Sequence, residues 1–220
     1  MLLLINNLPD LISNHSPTQV GLLVTPTGKK NIGQQLGPHP YWIGVDNGCY
    51  NADSVDSFNQ IEQKFIDLTY RLDPGRLAFV ASPDIIADPD QTLELFYGWR
   101  PHFLHLRLRT ALVLQDGMTT QDIPWPELEA VFVGGTDQYK FSPDVYRICL
   151  QAKQHRKWIH FGRINSKRKL SLAHDYHAHS VDGLHWSFYT HKNLAQGIEW
   201  VQSIKSQGRL FDNATLIQDH

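Results

Sequence analysis

The sequence predicts an α/β fold, a compact TIM-type (β/α)8 barrel, complete or incomplete. Three observations carry this. Eight short apolar runs recur along 220 residues, with helix-like segments between them. The clearest runs, Leu77–Ala81, Ala111–Leu114 and Val131–Val133, are continuous rather than alternating, as strands buried on both faces of a parallel sheet must be. Alternation of strand and helix then gives parallel neighbours.

In chain order the expected strands are 2–6, 20–25, 41–46, 76–82, 110–115, 130–134, 157–162 and 179–182. The first two are the weakest, and an open doubly wound sheet is the alternative. Ser54 is placed to cap a helix whose Val55, Phe58, Ile61 and Phe65 form one stripe. Asp88-Pro89 opens a second helix with Leu93, Phe96 and Trp99. Ser142-Pro143 opens a third, with proline at its first position and Val145, Ile148 and Cys149 behind it. A last helix runs through Leu194, Ile198 and Val201 towards Ile204. One barrel domain is expected over 1–208, followed by a tail, 209–220.

Composition narrows the class. Twenty basic and 22 acidic residues leave a net charge of −2, which excludes a globally basic coat but not a local patch. Two cysteines, Cys49 and Cys149, cannot build a disulfide framework or a four-thiolate zinc site. They are compatible with the cytoplasm. The apolar start Met1–Ile5 is too short to span a bilayer and is soon broken by Asn6, Asn7, Pro9 and Asp10, so no membrane association is expected.

Polar residues collect where strands end: Asp46-Asn47-Gly48, Ser82-Pro83-Asp84, Gln115-Asp116-Gly117, Gly134-Gly135-Thr136, Gly162-Arg163 and Asp182-Gly183. In a parallel barrel these ends share one face, the face that carries active sites. Asp and Gly after a strand also serve as ordinary turn and cap residues, which is the plain reading of any one position. The series on one edge is what points to chemistry.

Twelve histidines raise a metal site, the tightest group being His174, His177 and His179, with His185 and His191 beyond. No His-Glu-x-x-His element accompanies them, and no metal or other cofactor is expected. Gly28-Lys29-Lys30 lacks the full phosphate-loop pattern. A basic cluster is more informative: Arg156, Lys157, Arg163, Lys167, Arg168 and Lys169 occur with no acid between Arg156 and Lys169. Asn165-Ser166 reads as a helix start there, so Arg163, Lys167, Arg168 and Lys169 form a candidate phosphate grip for a polynucleotide. A solvated face is the alternative for such a charge run. Trp186, Phe188 and Tyr189 could stack on a base or pack into the core.

Taken in order, Val45-Asp-Asn-Gly-Cys-Tyr50, Ser82-Pro-Asp84, Leu114-Gln-Asp-Gly117, Ile123-Pro-Trp125, Val131-Phe-Val-Gly-Gly-Thr136, Trp158-Ile-His-Phe-Gly-Arg-Ile-Asn-Ser166 and Ser180-Val-Asp-Gly183 resemble the tRNA-guanine transglycosylase superfamily. The closer likeness is to its smaller DpdA-type members, which insert 7-deazaguanines into DNA. The resemblance implies a TIM-type barrel and base exchange at an N-glycosidic bond. Carried over, Asp182 is the nucleophile on C1′ and Asp46 the general base. Asp84, Gln115 and the Gly134-Gly135 backbone read the guanine-like edge.

The chain lacks the Cys-x-Cys-x-x-Cys…His zinc site of the tRNA enzymes and is much shorter. Both departures favour DNA, with a 7-deazaguanine base such as preQ0 as second substrate and room for a helper protein that opens the strands. The alternatives are a tRNA-guanine transglycosylase, an N-glycosidase-type hydrolase, a non-catalytic nucleic-acid-binding barrel and a metal-dependent hydrolase.

Overall fold

The computed structural model describes residues 1–6, 9–26, 32–49, 55–188 and 190–208, without the side chains of 55–58, 60 and 190. Ser54 as helix cap, the Gly28-Lys29-Lys30 segment, Asn7, Tyr50, Tyr189 and the tail 209–220 lie outside the described residues.

Eight parallel strands close into a barrel in sequence order: β1 Leu2–Ile5, β2 Val20–Val24, β3 Ile43–Val45, β4 Leu77–Ala81, β5 Thr110–Leu114, β6 Ala130–Val133, β7 Trp158–Phe161 and β8 Ser180–Asp182. Closure is made by β1 on β8, with Leu2 opposite Ser180 and Leu4 opposite Asp182. The barrel is therefore complete, and the open-sheet alternative falls. The two weakest strands of the sequence, β1 and β2, are buried along their whole length. A chain of apolar residues with no exposed face has nowhere else to go in a sheet wrapped by helices.

Side chains alternate along β1. Leu2 and Leu4 point into the barrel with Leu23, Phe79, Ala111 and Ala130, while Leu3 and Ile5 face the helical layer. Large and small interior residues interlock. A Cβ on Gly44 would lie 2.7 Å from both Leu4 Cδ1 and Phe79 Cζ, so glycine there makes the room these two side chains fill.

Among the described residues the α-helices are α1 Ile32–Gln35, α2 Val55–Thr69, α3 Pro89–His105, α4 Asp137–Lys140, α5 Pro143–Gln154, α6 Lys167–Asp175, α7 Leu184–Ser187 and α8 Thr190–Gln207. Local sequence sets their starts. Asp88 accepts from Gln91 N at 2.9 Å, and Ser142 and Ser166 cap α5 and α6 by accepting from Val145 N and Lys169 N, both at 3.3 Å. Phe96 and Phe103 of α3, Val145, Ile148 and Cys149 of α5, and Leu194 and Ile204 of α8 are the buried stripes facing the sheet. Among the described residues no helix is long and apolar enough to cross a membrane.

Candidate active site

The strand ends enclose a cavity of about 380 Å³, the size of a small-molecule site. Asp46, Asp84, Gln115, Gly134, Gly135 and Asp182 all line it, and so does Arg163. The remaining cations stand outside: Lys167 and Arg168 are exposed on the first turn of α6, and half-buried Lys169 pairs with Asp137 at 2.6 Å.

Asp84 is the fixed centre of the wall. It is buried, and its oxygens accept from Asn47 Nδ2 at 2.7 Å and Gln115 Nε2 at 2.6 Å. Each donor is locked in turn. Asn47 Oδ1 accepts from Cys49 N at 2.7 Å, and Gln115 Oε1 accepts from Ala87 N at 3.1 Å. Neither amide can turn over without losing a backbone bond. Burial pushes the Asp84 carboxyl up to about 6, opposed by the Asn47 and Gln115 bonds and aided by Asp46. Such a group is mainly an acceptor at neutral pH.

Gly134 and Gly135 are required by space and backbone. A Cβ on Gly134 would lie 2.8 Å from Leu114 O, and Gly135 adopts φ +71°, in the left-handed region, with Asp116 Oδ2 2.5 Å from where its Cβ would be. Asp116 itself is structural. It accepts from Thr136 N at 2.8 Å and from the Thr136 hydroxyl at 2.5 Å, fastening the loop after β5 to the loop after β6.

Asp46 and Asp182 face each other electrostatically. Burial raises the Asp46 carboxyl above the ordinary carboxylate range, and Asp182 adds to the rise; the Gly48 N–H, which donates to Asp46 Oδ1 at 2.7 Å, pulls the other way. Asp182, at the end of β8, is 15% exposed. Its Oδ1 accepts from His160 Nε2 at 3.0 Å and from Arg163 N at 3.3 Å. Among the described residues nothing donates to Oδ2.

His160 has no role in the sequence reading, yet it orients Asp182. It is fully buried inside the barrel, with ring centroids 4.7 Å from Phe79 and 4.5 Å from Phe132. Its Nδ1 lies 2.9 Å from Ser180 Oγ, which accepts from Trp158 Nε1 at 2.8 Å. The Asp182 carboxylate only accepts, so Nε2 carries the proton donated to it, and with that tautomer Nδ1 accepts from the Ser180 hydroxyl, which itself accepts from the indole N–H. Ser180 is enclosed in the barrel and serves as an orienting hydroxyl, not a nucleophile.

Arg163 has φ +61°, uncommon for a non-glycine residue. That conformation turns its N–H to Asp182 while Nη2 reaches Gly135 O at 2.7 Å, tying the loops after β6 and β7 together. Of the aromatics after Asp182, Trp186 is fully buried and packs edge-on to Trp200, so it belongs to the core, whereas Phe188 is exposed, as is Leu184 on the cavity wall. The histidine group lies elsewhere. His174 and His177 are buried at the end of α6 and the start of the turn into β8, and His179 accepts from Ile159 N at 3.0 Å and stacks on Trp158. That is the opposite end of the barrel from Asp182. Among the described residues no three His, Cys, Asp or Glu side chains could share a metal ion.

No family model and no curated protein matches the chain. Solved structures resemble its fold. A flavocytochrome b2 variant with benzoylformate superposes with a TM-score of 0.51 at 11% identity, over 86% of this chain and 56% of that one. The chain is a TIM barrel. The Bacillus subtilis YkuI protein, with an EAL domain and in complex with c-di-GMP and calcium, gives a TM-score of 0.40 at 12% identity, over 80% of this chain and 49% of that one. The chain thus spans about half the length of each of these proteins, and the likeness to the first extends to fold alone.

Proposed function

We propose that this chain is a guanine transglycosylase that exchanges guanine in DNA for a 7-deazaguanine base through a covalent aspartyl–sugar intermediate. One observation carries the reading: two carboxylates in different environments, Asp46 and Asp182, share a cavity with a third, Asp84, clamped between two amide donors. The clamp suits a guanine-like edge, because a carboxylate with free lone pairs accepts from a ring N–H and an exocyclic amine. Gln115 and the Gly134-Gly135 backbone stand beside it to meet the carbonyl.

The chemistry follows from the environments. Asp182 Oδ2 attacks C1′ and the bond from C1′ to the base nitrogen breaks, its electron pair leaving with guanine. Asp46, whose carboxyl is raised, supplies the proton to the departing base. In the second half the incoming base gives its N–H proton to the Asp46 carboxylate and attacks C1′, releasing Asp182. A target base must leave its stack to reach such a cavity, and exposed Leu184 and Arg163 on its wall, with exposed Lys167 and Arg168 at the start of α6, suit an extruded nucleotide.

The test is release of labelled guanine from DNA with and without a deazaguanine acceptor. Exchange requires the acceptor; release without it marks an N-glycosidase instead. Asp182→Asn is expected to lower exchange at least ~10³-fold while DNA binding persists. Retained activity in that variant removes Asp182 as nucleophile.

A further inference from the structure

A second cavity, of about 300 Å³, opens beside the first between the loops that follow β6 and β7. The two share Gly135, Arg163 and Asn165 in their walls. We propose that this second cavity binds a phosphate group carried by the sugar whose C1′ faces Asp182. The identity of that sugar rests on the base-exchange reading; the capture of phosphate does not.

Charge selects an anion. Lys140, Arg163 and Lys169 line the cavity against a single carboxylate, Asp137. Lys140 decides the matter. It lies on the single-turn α4, is 1% exposed, and its Nζ donates to Gly162 O at 2.8 Å. An ammonium has three N–H donors, and among the described residues this one meets one neutral carbonyl and no carboxylate within bonding distance. A buried cation so poorly compensated is costly to the fold unless an anion completes its shell. Burial first, and Arg163 second, bring Lys140 down to about 8, outweighing the pull of Asp137 and Asp182. It therefore stays protonated at neutral pH while short of negative charge.

Asp137 is the cavity's own anion, and it is held at the rim. It is bonded to half-buried Lys169 and is itself exposed, so the pair can open towards solvent when a stronger anion enters. Lys140 and Lys169 then offer N–H donors beside the positive charge of Arg163, which suits the several oxygens and the charge of a phosphate better than a carboxylate.

Position ties this cavity to the main one. Gly162, whose carbonyl holds Lys140, also lines the main cavity, and a Cβ added there would lie 3.5 Å from Asp182 Oδ1. A phosphate bound here is one backbone segment away from the nucleophile. The 3′ or 5′ oxygen of a sugar presented to Asp182 places its phosphate in that neighbourhood.

The test is calorimetric titration of the full chain with guanosine, guanosine 5′-monophosphate, guanosine 3′-monophosphate, a short guanine-containing single-stranded DNA and inorganic phosphate. At least one phosphate-bearing ligand is expected to bind tenfold or more tighter than guanosine. Lys169→Ala and Lys140→Met should remove that gain, and Asp137→Asn should enlarge it several-fold. Because Lys140 is buried, Lys169→Ala, on a half-buried side chain, carries the test if Lys140→Met does not fold.

A gain with the monophosphates alone assigns a monoester, and a gain with DNA alone assigns a backbone diester. Guanosine binding without any phosphate gain, or a gain that survives Lys169→Ala, overturns the phosphate cavity and leaves base exchange standing. Inorganic phosphate binding that is lost in Lys169→Ala, with no guanosine binding, keeps the cavity and overturns the guanine reading. No binding by any ligand overturns both.

Discussion

Replacing Asp84 with asparagine separates what the buried carboxylate costs the fold from what it contributes to the site. Asp84 is 8% exposed and its carboxyl is raised from 3.8 to about 6, chiefly by burial. Between about pH 4 and 6 the folded chain holds a proton that the unfolded chain has already released, so stability falls as pH rises through this window. At ~1.36 kcal/mol per tenfold in acid strength, the ionised fold bears about 3 kcal/mol at pH 7. Asparagine removes that cost but presents one oxygen and one NH2 to two locked donors, Asn47 and Gln115. One unmatched buried donor costs about 1–3 kcal/mol. At pH 7 the two effects nearly cancel, leaving a change between zero and about 2 kcal/mol in favour of the variant. At pH 4, where the wild-type carboxyl is protonated, only the mismatch remains and the variant is the less stable by about 1–3 kcal/mol. The pH dependence is therefore the sharper readout. Urea denaturation followed by tryptophan fluorescence from pH 4 to 8 is expected to show the difference, variant minus wild type, rising by about 3 kcal/mol. Parallel curves for the two proteins would refute the account of Asp84 as a strained buried carboxylate. The same variant should lose base exchange by about 10²-fold or more, because an amide NH2 now meets the donor edge of the base.

Two further perturbations probe the surroundings. His160→Phe keeps an aromatic ring between Phe79 and Phe132 but removes the donor to Asp182 Oδ1, so single-turnover exchange should slow by ~10–10³-fold with little change in affinity for the free base. An unchanged rate would reduce His160 to core packing. Gly135→Ala meets both a left-handed φ of +71° and a Cβ position 2.5 Å from Asp116 Oδ2 and 2.9 Å from Tyr139 Cδ1, and is expected to cost about 2–4 kcal/mol in chemical denaturation together with the loss of base binding.

Strands and site edge were legible for the same reason. A strand buried on both faces is written as an unbroken apolar run, and in this barrel such a run stops where the chain reaches the cavity. Val45 gives way to Asp46, Leu114 to Gln115 and Val181 to Asp182, so the change in polarity marks the rim as well as the end of the strand. Helix starts were legible through side-chain caps, as Asp88, Ser142 and Ser166 demonstrate. The aromatics after Asp182 were not separable by sequence. Trp186 and Phe188 stand two residues apart on a single helical turn and its edge, and only the packing against Trp200 decides that one is core and the other exposed.

His160 and Lys140 mark a deeper limit. Each is a polar residue whose local sequence describes a different environment from the one it occupies. His160 sits mid-strand between Ile159 and Phe161, where period two says only that it points the opposite way from them; whether that direction is solvent or the barrel interior depends on closure of β1 on β8. Once the barrel is closed, His160 must find partners inside it, and it bonds Ser180 and Asp182 on the neighbouring strand. Lys140, in a four-residue helix beside Asp137 and Gln138, reads as a surface lysine. Packing against the loop after β7 buries it and hands it the Gly162 carbonyl. His160 thus finds both its partners inside the barrel, whereas Lys140 meets one neutral carbonyl, and the compensation it lacks within the fold points to what the adjoining cavity is built to hold.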